Sequence, residues 1–422
     1  MRVNLRAAGR NRFQPRLEAL EDRQVPAFSV WQQGATLFLK GSSGPDYVDI
    51  QDAGNGNYNV QADGNFGVNY SGISRIRINA YGGDDGVTFY VDNKSMGSPT
   101  LRMDVDLGSG NDKFDADIYG SGVMMGPAIP MAPCHYEFNV DGGSGNDDIY
   151  MGFFADLHSG DRLRVRLNGQ SGNDYVGFRY GGSNYGGAIH TDVFGGSGSD
   201  TVNAFLGSTS SEGYNAGTIQ LDVGGESGND NLFFGFETYT NGNGELLPLN
   251  GYTYENTGEL KVRMRGGSGD DTLGVGLGDN AAFNNSGDVK FAIDGGAGKD
   301  NINVGTLTMM NPVTTGSAVV ETSIMTPLIN TGSIDLSVEG GSNKDDIHIA
   351  TILAADATDA YFRVRVKGEG NADNIHLAAY PNYMTLGKVV AQVKAGPLDY
   401  LWVTPNVQVQ GARSSRITYL PL

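Results

Sequence analysis

A glycine-rich hexapeptide ending in aspartate returns along this 422-residue chain at a nearly regular interval, and that recurrence restricts the fold more than any other feature. It reads GGSGND at 142–147, GQSGND at 169–174, GGSGSD at 195–200, GGSGDD at 266–271 and GGAGKD at 295–300. With the final aspartate as position zero, the series is Asp46, Asp85, Asp112, Asp147, Asp174, Asp200, Asp230, Asp271, Asp300, Asp345, Asp373 and Asp399. Neighbouring members are 26 to 45 residues apart, and the short separations cluster at 26–28. A constant unit carrying occasional insertions is the signature of a repeat architecture.

The columns around the corner specify the unit. Positions +2 and +4 are apolar in all twelve cases, from Val48 and Ile50 to Leu401 and Val403, while the residues between them are mixed. Positions −11, −9 and −7 alternate in the same way, as in Leu163, Val165 and Leu167 or Ile334, Leu336 and Val338. Period two means short strands with one buried face on both sides of the corner. A glycine often stands at −13, as at Gly187, Gly217, Gly258, Gly287 and Gly332, and marks another turn. One such unit cannot bury its apolar face alone, but stacked units can. The expected fold is all-β: a single parallel β-helix, or β-solenoid, of about twelve coils with long lateral loop insertions at 120–134, 237–258 and 306–332. At ~4.8 Å per strand it would be about 55 Å long. Antiparallel sandwiches are the alternative; they explain frequent turns but not an aspartate corner kept in one phase.

Outward positions support stacking in one register. Glu137 precedes Arg164 at the same place one unit later, Asp335 precedes Arg363, and Glu339 precedes Lys367. Facing opposite charges on neighbouring strands contribute roughly 0.2–1 kcal/mol each.

At −2 the column is glycine nine times, from Gly44 to Gly298, then Asn343, Asn371 and Pro397. Glycine with asparagine as substitute marks a left-handed backbone, expected to leave carbonyl oxygens facing outward. Stacked carboxylates ~5 Å apart repel by roughly 3 kcal/mol at an effective dielectric of ~20. Cations would relieve this, and hard oxygen ligands in a flexible loop suit Ca²⁺. The candidate ligands are Asp46, Asp85, Asp112, Asp147, Asp174, Asp200, Asp230, Asp271, Asp300, Asp345 and Asp373. The alternative is a purely structural aspartate ladder, because turn aspartates commonly accept N–H groups of their own loops.

GGSGND followed by any residue and an apolar one resembles the RTX, or haemolysin-type, calcium-binding repeat G-G-x-G-x-D-x-U-x, over most corners from Gly108 to Asp300. The resemblance implies several calcium ions between successive corners, held by the aspartates and loop carbonyls. RTX repeats run in tandem, whereas this chain has one corner per 26 residues or more. The end units are degenerate: Pro45 enters the first, the second reads YGGDDG and the last AGPLD.

The chain carries a net charge of −19. Residues 1–27 hold six arginines against Glu18, Glu21 and Asp22, a net +3, so the remainder stands at −22. Such a body repels nucleic acid and anionic membranes and attracts cations. LEALEDRQVPA, from Leu17 to Ala27, resembles the L-E-x-L-E-x-R-x-x-P-A segment of exported proteins of planctomycete type. It implies a 1–27 sorting segment, disordered or cleaved, before a solenoid at 28–422, and places the protein outside the cell or in its envelope. No apolar run of about 18 residues suggests a transmembrane segment. Cys134 is the single cysteine, so no internal disulfide forms; beside His135 it reads as a small loop or core residue rather than half of a zinc site. His348 and His376, each three residues after a corner aspartate, are expected to stack on the outer face. No Ser/His/Asp set, P-loop or dinucleotide fingerprint occurs.

The functional expectation is an exported, calcium-binding solenoid with a structural or adhesive role, partnered by calcium and by an envelope polysaccharide or surface protein. The alternative is a β-helix carbohydrate-active enzyme of polysaccharide lyase or epimerase type. That would require a groove with two convergent carboxylates and a basic neighbour.

Overall fold

A computed structural model of the chain describes residues 28–91, 100–120, 133–207, 213–236, 239–240, 246–247, 253–276, 282–305, 328–354, 361–370, 372–381, 389–394, 400–403, 407–410 and 417–419. The 1–27 segment, Asp399 and most of the three insertions lie outside these residues. The described chain is all-β, with no helix among its elements.

Two long sheets run side by side. The first has fourteen strands, parallel throughout except for its opening pair Ser29–Gln33 and Thr36–Lys40. Its central members are ten-residue copies: Thr100–Ser109, His135–Ser144, Arg162–Ser171, Ala188–Ser197, Thr218–Ser227, Glu259–Ser268 and Asp288–Ala297. Register is kept from copy to copy, so that Tyr136, Leu163, Ile189, Ile219, Leu260, Val289 and Ile334 form one line.

After each of these strands the chain turns through the glycine corner into a strand of the second sheet. Lys113–Ile118, Asp148–Phe153, Tyr175–Tyr180, Thr201–Leu206, Asn231–Phe236, Thr272–Gly276 and Asn301–Gly305 pair there in parallel. A third line of short parallel strands, including Gly213–Asn215, Thr253–Asn256 and Ala282–Asn285, precedes the return. The long pairings are therefore not those of antiparallel sandwiches. Among the described strands, antiparallel pairing occurs at the N-terminal end, where Tyr47–Gly54, Asn57–Ala62 and Val68–Tyr70 also form a meander, and in the short pair Tyr239–Thr240 with Leu246–Leu247.

Every +2 and +4 side chain is buried, Val48 and Ile50 through Leu401 and Val403, against the inward −11, −9 and −7 residues of the first sheet. Each fully buried Val, Leu, Ile or Phe contributes roughly 1.5–3 kcal/mol, so the core is one continuous column shared by all passes. Outward charges pair between passes: Arg102 with Glu137 at 3.2 Å, Asp335 with Arg365 at 2.9 Å and Arg363 at 3.9 Å, and Glu339 with Lys367. Glu137 does lie opposite Arg164. Its carboxylate nevertheless reaches the arginine of the preceding pass, a correction to the pairing expected from spacing.

Candidate functional site

The corner aspartates from Asp46 to Asp373 fall into a single column, and a main-chain hydrogen bond joins each to the next. The N–H of Asp46 donates to Asp85 Oδ1 at 2.8 Å, that of Asp85 to Asp112 at 2.7 Å, that of Asp112 to Asp147 at 2.8 Å and that of Asp147 to Asp174 at 2.8 Å. The series continues through Asp200, Asp230, Asp271, Asp300 and Asp345 to Asp373 at 2.7–3.0 Å. These carboxyls face inward and are only 0–3% exposed. Parallel strands leave the N–H of the corner residue pointing along the stack, and an aspartate one pass further on caps it.

The remaining motif positions follow from the same closure. The −2 glycines from Gly83 to Gly298 have positive φ, 124° at Gly145 and 144° at Gly172. A Cβ on Gly145 would lie 1.7 Å from the carbonyl oxygen of Gly110, and one on Gly172 only 1.6 Å from that of Gly145. Their carbonyls thus lie packed between passes, not turned outward as the turn chemistry suggested. The −5 glycine makes room for the carboxyl itself: a Cβ on Gly142, Gly169 or Gly266 would stand 2.4–2.5 Å from Oδ2 of Asp147, Asp174 or Asp271. The −1 residue forms a second, exposed ladder, in which the Asn146 N–H donates to Asn111 Oδ1 and the Asn173 N–H to Asn146 Oδ1, both at 2.8 Å.

Fit to calcium can be judged on the two carboxyl oxygens. Oδ1 is engaged by a peptide N–H. Oδ2 of Asp85, Asp112, Asp147, Asp174, Asp200, Asp230, Asp271, Asp300 and Asp345 is buried without a hydrogen-bond partner, while in the first corner the Ser42 N–H donates to Asp46 Oδ2. Ca²⁺ takes six to eight oxygens at about 2.3–2.6 Å. One uncommitted oxygen per pass, closed off by a glycine Cα, is not such a shell.

The electrostatics point to protons instead. Burial pushes Asp85, Asp147, Asp271 and Asp345 up to about 7, and Asp112, Asp174, Asp230 and Asp300 up to about 6. The peptide N–H opposes the shift, and neighbouring carboxyls add to it. A neutral carboxyl keeps Oδ1 as acceptor while removing the buried charge.

One ladder is not anticipated by the sequence reading. Asn184, Asn215, Asn256 and Asn285 form a buried ladder at the other turn, each Nδ2 donating to the next Oδ1 at 2.9, 2.7 and 2.7 Å. Its sequence signal is the N-x-G string at 215–217, 256–258 and 285–287, whose glycine marks the turn and whose asparagine supplies the ladder. The histidine stack does form, with His348 and His376 4.4 Å apart, and Trp402 extends it at 4.2 Å. Burial holds both imidazoles below their usual range, His376 at about 4. Elsewhere, His190, Asp192 and Asp222 bring ligand atoms within 4.8 Å of one another. Arg263 already pairs with Asp222 at 3.2 Å. No described helix is long and apolar enough to cross a membrane.

No family model matches the chain, and neither the curated proteins nor the solved structures yield a match.

Proposed function

We propose that the chain is a parallel β-solenoid of about twelve coils, exported to the cell surface or extracellular matrix, with a structural or adhesive role. The observation that carries this reading is the unbroken aspartate column. Ten consecutive inter-pass hydrogen bonds commit the most repeated side chain of the sequence to closing the stack. A chain that spends its recurrent motif on a continuous core and a regular exterior is built to present a long rigid surface. The resemblance of LEALEDRQVPA, Leu17 to Ala27, to the segment of exported planctomycete-type proteins supports the exported setting.

Calcium bound along the column, the ion that the RTX resemblance implies, is the second reading, and the orphaned Oδ2 atoms are the observation in its favour. Thermal unfolding in excess calcium and in excess chelator separates the two. A self-closing ladder melts identically in both; a melting point that drops on chelation overturns it in favour of the ion. Labelling of intact cells with an antibody to the chain tests the location, and signal only after lysis rules the surface role out.

A further inference from the structure

The outer face of the first sheet changes character at its N-terminal end. Trp31 stacks on Phe38, centroids 5.2 Å apart and planes 8° apart, and stays 44% exposed. In register beside this pair run Arg77, Asp104 and Asn139, while Lys40, Asn79, Asp106 and Asp141 form the adjoining row. Together they line a shallow groove across five strands. Asp104 is neutralised by Arg75, Arg77 and Arg102. Asp106 and Asp141 face each other with no ion pair to any described lysine or arginine, and like charges directly opposite on neighbouring strands are unfavourable. Desolvation and the Asp141 charge raise the Asp106 pKa.

We infer that this groove binds a neutral, hydroxyl-rich polysaccharide laid across the strands. An exposed indole held flat by a second ring offers an apolar platform to the C–H face of a pyranose. Two carboxylates without cations are strong acceptors for sugar hydroxyls, and Asn79 sets an amide beside Asp106, its Nδ2 3.4 Å from Oδ2. The mixed signs choose the ligand. Asp106 and Asp141, on a chain of net charge −19, disfavour an acidic polymer, and Lys40 and Arg77 in the same groove disfavour a basic one. A sugar ring is about as long as one strand spacing, ~4.8 Å, so successive rings can meet successive strands.

The inference deepens the adhesive part of the proposed function and rests on it. Its test is native electrophoresis of the full chain through gels containing soluble β-glucan, mannan or galactan, with polygalacturonate and chitosan as the acidic and basic controls. Retardation is expected in at least one neutral gel, with mobility largely restored by Trp31→Ala and by Asp141→Asn. The isosteric Asp141→Asn chain should melt with the wild type, which keeps the result interpretable where Trp31→Ala loosens its strand. Free migration in all three neutral gels overturns the inference, as does retardation in chitosan alone or retardation that both substitutions leave intact. Each of these outcomes leaves the chelator and surface-labelling results untouched, so the two readings fail separately.

Discussion

At the scale of single residues, the corner aspartate is an acceptor first and a charge second. Asp174→Ala removes the acceptor of the Asp147 N–H and leaves that donor buried. Chemical unfolding should show a loss of about 1–3 kcal/mol, whereas Asp174→Asn, which retains Oδ1, should lose much less. Equal losses would mean that the charge, not the hydrogen bond, matters. The pH dependence follows from the raised carboxyls. Their folded values of about 6–7 lie above the ordinary 3.8, so the folded chain binds more protons between those limits. Stability is then fully present below about pH 4 and lost as pH rises through 6 and 7. His348 and His376 act in the opposite sense, losing stability as pH falls below 6.5. Two imidazoles are outnumbered by the corner carboxyls. The melting temperature should therefore fall from pH 5 to pH 8; a flat or rising curve contradicts the neutral-carboxyl account.

Between elements, the two turns solve one problem with different chemistry. An asparagine carries donor and acceptor together, so the ladder from Asn184 to Asn285 satisfies itself from side chain to side chain. An aspartate carries acceptors only and must borrow the peptide N–H. Replacing Asn256 by Asp removes the donor to Asn285 Oδ1 and sets two acceptors against each other. The expected cost is about 1–3 kcal/mol, read from urea unfolding at pH 7 and reduced at pH 5, where the new carboxyl is more readily protonated. An unchanged midpoint would show that the amide column is not structural. The −4 position shows what is not required: Gln170 and Glu226 occupy it at φ 73°, so its left-handed backbone tolerates a side chain that the −2 and −5 glycines have no room for.

For the whole molecule, the fourteen described strands of the first sheet at ~4.8 Å give a body about 60 Å long. Small-angle scattering should report an elongated particle whose dimensions hold from low to moderate salt, because the core and not the surface charge sets its length. A compact sphere of this mass would refute the stacked arrangement. Much of this was legible in the amino-acid order. Period two at +2 and +4 placed all twenty-four of those side chains in the core, since alternation on a strand allows only one buried face. The recurring interval announced stacking, because units of that size cannot bury their apolar faces alone. The direction in which Asp147 points was not legible, because a sequence records that an acidic group stands at a turn but not which donor lies above it. That donor belongs to the neighbouring pass, 26 to 45 residues away in the chain. The inward carboxyls, the carbonyls lodged between glycines and the Trp31 groove all depend on contacts between passes, and only the tertiary structure brings those passes together.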